Sequence, residues 1–405
     1  MALQRFDRII GQKDAVSFLQ NAVRTGHVPH ALILCGERGI GKMDLAMAFA
    51  GALQCAQSPA HMLPAGEQEV LPDPRGPGRE NPSSARLSGP QSAEPCGHCR
   101  SCKQIAAGSH PDVIVVTNAR AGAETKTNII GVKAARFVQG DVSIRPYEGP
   151  YKIYIVPDAQ NMNPQAQNAL LKTLEEPPAY AVLILLAQTT AAFLPTVLSR
   201  CITLNLRPVS EDELAADLIR RSGSVRAAGA DDPGSADAPG SPAQEKGAAA
   251  AAPKMSEERA LLCARLAHGN PGRCRQLAQD GTLWTFRADF ISFIKRLPDV
   301  SSYEIVQYAE RLTAKEDNRV DDFFDLGLAW FRDLLAAKST DTAHALIFAD
   351  EITYISKVKD QLSYAALGRI LKAFDDAAQR RAAKGNDTQI LEVLLLNVRR
   401  AMSRR

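Results

Sequence analysis

The sequence predicts an α/β protein with an all-α C-terminal part: a parallel five-stranded sheet around a phosphate-binding loop, followed by helices alone. Three observations carry that expectation. Short apolar runs of strand length alternate with helical patterns over the first 210 or so residues. A glycine-rich loop ending in Gly41-Lys42 lies between the first of those runs and a helix. After residue 255 the strand signals vanish.

The apolar runs are Ala31–Cys35, Val113–Thr117, Lys152–Val156, Val182–Ala187 and Ile202–Leu206. They are nearly continuous rather than alternating, the pattern of strands covered on both faces. The segment from Pro164 to Glu176 reads as a helix with clear punctuation. Asn163 can cap it, Pro164 suits its first turn, and Pro177-Pro178 ends it. Further on, 321–336 (DDFFDLGLAWFRDLLA) and 388–400 (TQILEVLLLNVRR) place apolar residues at helical spacing. Two stretches break the regularity. Residues 56–95, rich in Pro, Gly, Ser and Ala, read as an insertion within a domain, and 222–254 as a disordered linker or a loop grown long. Neither holds enough apolar surface to offset the entropy of ordering it.

At 405 residues the chain has room for two or three domains. Its 45% hydrophobic and 23% charged residues suit a soluble globular protein. A net charge of +3 does not announce nucleic-acid binding, so any DNA contact needs a local basic patch or basic partners. The opening MALQRFDRIIGQKD carries charges where a signal peptide needs an apolar run, and no stretch reaches the roughly 20 apolar residues that span a bilayer. The expected compartment is the cytoplasm, without membrane contact. Eight cysteines there read as metal ligands where clustered rather than as a disulfide framework.

Gly36-Glu-Arg-Gly39-Ile-Gly41-Lys42-Met43 follows the first strand and opens a helix, fitting G-x-x-x-x-G-K in the required context. The glycines let backbone N–H groups turn toward phosphates at a helix N-terminus, and Lys42 adds positive charge. The next position should offer a Ser or Thr hydroxyl to Mg²⁺, and Met43 has none. The acidic motif expected after the third strand is also incomplete. In one register Pro157 and Asp158 take the two acidic positions; in the other, Asp158 and Ala159 do. Either way one carboxylate is lost, so ATP or ADP could bind without efficient hydrolysis.

Cys96, Cys99 and Cys102 at two-residue spacing predict a structural zinc knuckle, with Cys55 as the fourth ligand. His98 is the competing donor, though its neighbours on both sides already bind. The other cysteines, Cys35, Cys201, Cys263 and Cys274, sit in apolar elements and read as core.

Taken in order, these signals resemble the bacterial clamp-loader AAA+ family. The resemblance covers residues 1 to about 210 and rests on six pieces. They are the opening Arg5-Phe6-Asp7-Arg8-Ile9-Ile10-Gly11-Gln12, the phosphate loop, the inserted knuckle, His110-Pro111-Asp112, the run Asn168–Pro178 (NALLKTLEEPP) and Ser199-Arg200-Cys201. The helical remainder is similar to the family's collar in helicity, with Trp330-Phe331-Arg332-Asp333-Leu334-Leu335 as the best local match.

The resemblance implies an AAA+ core over 1–207, a small helical lid over 208–280 and an oligomerising collar over 281–405. It also implies partners: gamma/tau and delta subunits of the DNA polymerase III loader in a pentamer, and, through them, the sliding clamp and primed DNA. In that family gamma/tau subunits hydrolyse ATP, while the delta-prime type keeps a degenerate site and lends its Ser-Arg-Cys arginine to a neighbour. Met43 and the broken acidic motif point to delta-prime, which makes Arg200 the arginine finger. The lid's phosphate-sensing arginine position falls on Gly272, with Arg273 beside it, and Gln188 and Thr189 stand where the polar sensor lies. The competing readings are a gamma/tau-type motor hydrolysing its own ATP and a zinc-bearing AAA+ scaffold in DNA repair.

Overall fold

The computed structural model of the chain describes residues 3–59, 93–117, 130–227, 256–314, 318–339 and 346–403. Most of the 56–95 insertion and of the 222–254 stretch lies outside the described residues. The chain divides into two compact units. The first comprises Met1–Glu213 together with Gly269–Gly272, and the second Leu214–His268 together with Arg273–Arg405.

The first unit is built on five parallel strands, β1 (Ala31–Cys35), β2 (Val113–Val115), β3 (Lys152–Val156), β4 (Ala181–Ala187) and β5 (Ile202–Asn205). Their order across the sheet is β2-β3-β4-β1-β5. Helix α1 (Lys13–Thr25) precedes β1, and helices α2 (Lys42–Gln54), α3 (Arg100–Ala107), α4 (Val132–Asp141), α5 (Pro164–Glu175) and α6 (Pro195–Leu198) connect the strands.

Both faces of the sheet are covered, which is why β1, β3 and β4 are buried throughout and read as unbroken apolar runs. Leu32, Leu34, Ile153, Ile155 and Ile184 face one core with Leu45 and Phe49 of α2. Ile33, Tyr154, Val156, Leu183 and Leu185 face the other with Val138 of α4 and Leu170 of α5. The cap on α5 is made by Asn163, whose side chain accepts from the Ala166 N–H at 2.8 Å.

Both ends of the inserted stretch are anchored. Ser58 and Ala93 are buried. Glu94 accepts from the Phe6 N–H and from Gln20 Nε2, each at 3.0 Å.

Among the described residues the second unit is helical throughout: α7 (Glu211–Ala227), α8 (Glu257–Leu266), α9 (Pro271–Gln279), α10 (Leu283–Arg296), α11 (Ser302–Leu312), α12 (Val320–Ser339), α13 (Ile352–Lys359), α14 (Tyr364–Ala382) and α15 (Asp387–Ser403). Helix α7 continues to Ala227, into the low-complexity stretch that begins at residue 222. The core is aromatic: Phe323 meets Phe290 edge-on at 5.6 Å, and Trp330 meets Phe348 at 5.0 Å. Asp333, buried among them, accepts from the Phe348 N–H at 2.7 Å. No described helix is long and apolar enough to cross a membrane.

Candidate functional site

Parallel strands put all their C-terminal ends on one edge of the sheet, and the candidate nucleotide site forms there. The chain leaves β1 at Cys35, turns through Gly36–Gly41 and enters α2 at Lys42. Gly41 caps that helix with φ 106°, a left-handed conformation costly for any residue with a Cβ. The amide groups of the first helical turn are thereby presented as an anion site. Lys42 Nζ donates to the carbonyl oxygens of Gly36 at 2.6 Å and Glu37 at 2.7 Å. Burial pulls the Lys42 ammonium below its usual range, and the nearby Asp158 carboxylate opposes that shift.

The chemistry beside this loop is thinner than its geometry. Met43 packs against the apolar core under α2, so no hydroxyl stands at that position to hold a cation. After β3, Pro157 is half-buried, Asp158 is exposed with φ 47°, and Ala159 is fully buried. Asp158 is therefore the carboxylate available in that turn, and among the described residues it accepts a long contact of 3.4 Å from Gln160 Nε2. Gln188 and Thr189 follow β4 on the same edge and are exposed. Gln160 Oε1 accepts from the Gln188 N–H at 3.2 Å.

The Gly269–Gly272 segment lies against the outside of the loop. Asn270 Nδ2 donates to the Arg38 carbonyl at 2.7 Å, and the Gly272 N–H to the Gly39 carbonyl at 2.9 Å. Backbone approaches backbone so closely that a Cβ on Gly272 would stand 2.8 Å from the Gly39 oxygen. A Cβ on Gly39, whose φ is 89°, would stand 2.6 Å from Asn270 Oδ1. No side chain fits at Gly272 without moving the loop. Arg273, the next residue, is paired with Asp325 of α12.

Arg200 stands at the other edge of the sheet. It comes just before β5, whose Ile202 pairs with Leu32 and whose Asn205 pairs with Cys35, while the phosphate loop follows Cys35. The two edges are separated by the length of β1, about 15 Å for five residues. Arg200 is half-buried and held in place: its guanidinium pairs with Glu175 at 2.9 Å and donates to the Thr196 carbonyl at 2.9 Å.

Four cysteines converge near the end of α2. Cys55 ends that helix, Cys99 caps α3, and the sulfurs of Cys55, Cys96, Cys99 and Cys102 all lie within 4.8 Å of one another. A tetrahedral zinc with bonds of about 2.3 Å needs sulfurs roughly 3.8 Å apart, and Cys96 and Cys102 are 3.9 Å apart. Backbone N–H groups of Cys96, Cys99 and Cys102 point at the sulfurs of Cys55, Cys96 and Cys99 at 3.3, 3.4 and 3.5 Å, as thiolates require. The Cys55 thiol is held well below its usual range, chiefly by a hydrogen bond from Cys102, and that bond pushes Cys102 up. His98 is exposed, with Nδ1 3.0 Å from the Cys96 carbonyl oxygen. The four cysteines fit a metal ion as they stand. By contrast, burial pushes Cys201 and Cys263 up to about 11 and Cys274 to about 12, as expected of unreactive thiols.

Comparison with known proteins bears on the unit that holds these sites. Residues 11–68 and 83–210 match a family described as DNA polymerase III, delta subunit. The chain is 30% identical to the tau/gamma subunit of DNA polymerase III from Haemophilus influenzae over 214 residues, 53% of this chain and 25% of that one. It is 31% identical to the tau subunit from Bacillus subtilis, over 52% of this chain and 30% of that one. It is also 27% identical to the delta′ subunit from Bacillus subtilis, over 52% of each. The first half of this chain is homologous to the tau/gamma and delta′ subunits of DNA polymerase III. It spans about a quarter to a half of the length of those relatives. Among solved structures, a DNA polymerase III gamma-subunit-related protein from Thermotoga maritima aligns with 95% of this chain and 99% of its own, at 15% identity and a TM-score of 0.39. The RuvB Holliday junction branch migration motor from Thermotoga maritima aligns with 71% of this chain and 65% of its own, at 14% identity and a TM-score of 0.36.

Three residues do work that sequence reasoning did not assign to them. Asn270 holds the phosphate loop across 232 positions of chain. Glu175 pairs with Arg200. Asp112, fully buried before β2, accepts the N–H groups of Tyr147, Glu148 and Gly149 at 2.7, 2.8 and 3.1 Å, fixing the loop that enters β3. Asp112 and Glu175 lay within quoted motifs without an assigned role, and Asp112 also stood out as a charged residue immediately ahead of a buried strand.

Proposed function

We propose that this chain is a delta-prime-type subunit of the DNA polymerase III clamp loader, a stator that assists a neighbour's ATP hydrolysis rather than performing its own. The observation that carries the reading is Met43, packed against the apolar core at the first turn of α2, where a catalytic phosphate loop needs a hydroxyl for Mg²⁺. Only one carboxylate, Asp158, follows β3, with buried Ala159 beside it, so water activation also lacks its group. The loop amides and Lys42 remain suited to hold ATP or ADP phosphates without turnover.

Arg200 supports the same reading from the opposite edge. Being about 15 Å from its own phosphate loop, it serves a nucleotide held by another subunit. There its guanidinium would stabilise charge on the γ-phosphate as the bond to the leaving group breaks. Glu175 is its positioning residue, fixing the guanidinium before the neighbour docks. Zn²⁺ held by Cys55, Cys96, Cys99 and Cys102, with no open position, would be structural. The second unit would supply the lid and the collar, joining gamma/tau and delta subunits in a pentamer that opens the sliding clamp and places it on primed DNA.

Relatives of the tau/gamma type are slightly more similar to this chain than the delta′ relative, which favours a motor. Identity of 30% against 27% does not separate the two types, and the site chemistry weighs against a motor. The test is ATP turnover by a loader reconstituted with gamma/tau and delta subunits, clamp and primed DNA. Arg200→Ala in this chain is expected to remove stimulated turnover, and Lys42→Ala to leave it unchanged. Turnover that survives Arg200→Ala and disappears with Lys42→Ala would overturn the stator reading in favour of the motor.

A further inference from the structure

The second unit carries a feature that the nucleotide reading does not use. Helices α14 and α15 are joined by a short turn, and a groove of about 360 Å³ runs along their seam. From Arg369 to Arg380 it extends about 16 Å, or three helical turns. Arg369, Lys372 and Arg380 of α14 and Arg400 of α15 stand on its rim, all exposed. Its floor is apolar: Ile390 and Leu394 are buried, and Val393 is 42% exposed.

The rim cations differ from the arginines beside them. Arg381 pairs with Asp321 at 2.9 Å and Asp387 at 3.1 Å, and Arg399 donates to the Val300 carbonyl at 2.7 Å and Ser302 Oγ at 3.0 Å. Among the described residues, no ion pair or side-chain hydrogen bond engages Arg369, Lys372, Arg380 or Arg400. Four unpaired cations along one seam, against the single carboxylate of Asp376, make a positive channel over an apolar floor.

We propose that this groove docks an acidic amphipathic helix of a partner protein. The apolar floor would take side chains at i, i+3, i+4 and i+7, and the flanking cations would pair with Asp or Glu beside them. The lining argues against nucleic acid. It contains no aromatic ring on which a base could stack, and Asp376 interrupts the cationic stripe between Lys372 and Arg380, where it would face a phosphate. The proposal stands independently of the nucleotide and zinc readings.

The test is fluorescence anisotropy of the full chain with a set of synthetic helices of about three to five turns, patterned with Leu on one face and Glu beside it. The same helices with Lys for Glu, and an oligothymidylate, serve as controls. Acidic helices are expected to bind and to weaken as salt rises. Double reversal, Lys372→Glu with Arg380→Glu, is expected to cost about a hundredfold in affinity, and Val393→Asp about tenfold. Both changes fall at exposed helical positions, and an unchanged circular dichroism spectrum and Tm would show the fold intact. The proposal is overturned by no binding of any acidic helix, by binding that ignores the double reversal, or by lysine helices binding equally well. Oligothymidylate binding that depends on the same cations, in place of the helix, would make the groove a nucleic-acid surface.

Discussion

The two edges of the parallel sheet differ in what they have kept. At the C-terminal edge the shape of a nucleotide site persists: Gly41 in its left-handed turn, Lys42 over the loop carbonyls, and Asn270 bracing the loop from outside. Its chemistry does not, since Met43 packs against the core with no hydroxyl to offer and, in either register of the acidic motif, Pro157 or Ala159 stands in place of a carboxylate. At the N-terminal edge polar side chains make specific pairings. Arg200 is paired with Glu175, and Asp112 clamps three backbone amides. A phosphate-loop shape short of its reactive groups on one side, and an oriented arginine on the other, is the arrangement that the proposed stator role would use.

The largest expected effect lies at Arg200. In the assembled loader, Arg200→Ala should lower kcat for ATP by about 10³-fold, and Arg200→Lys should recover only part of it, because an ammonium lacks the planar fork. Glu175→Gln should give a smaller loss, with kcat falling more than KM rises if Glu175 acts by aiming the guanidinium. Metal removal bears on both edges together. With zinc held by the four cysteines as proposed, stripping it with a chelator, or Cys102→Ser, should lower the Tm of the first unit sharply, a cost of several kcal/mol, with metal release measured in parallel.

Asp112→Ala isolates the N-terminal edge. Leaving three loop amides without their acceptor should destabilise the first unit by about 3 kcal/mol in urea unfolding, with the phosphate loop's nucleotide affinity little changed. Asn270→Ala does the converse at the other edge. It should cost about 1 kcal/mol and alter nucleotide affinity at Lys42, while leaving Arg200-dependent turnover intact.

Much of the fold was legible because its signals are local. Ala31–Cys35 and Lys152–Val156 are strands with the bounds their apolar runs suggested, since burial on both faces leaves nowhere for a polar residue. Asn163 and Pro164 mark the start of α5 for reasons contained in one turn of helix. Runs ending in mixed residues were less sharp: β2 stops at Val115 and β5 at Asn205, short of the Thr117 and Leu206 that the apolar pattern included. At the sites, glycine spacing and cysteine spacing are likewise local, and thiols gather for few reasons other than a metal. Asn270 on Arg38, Glu175 on Arg200 and Asp112 on residues 147–149 are single polar pairings across loops. Motifs marked Asp112 and Glu175, but no period or motif encodes what the three residues pair with, because that depends on how separate elements come together.

The most direct test of the central claim is steady-state ATP hydrolysis by the purified chain alone, with and without Lys42→Ala. The account predicts turnover at background in both, with nucleotide binding the only property that Lys42 affects. Turnover above background in the unmodified chain, abolished by Lys42→Ala, would contradict it and make this subunit a motor.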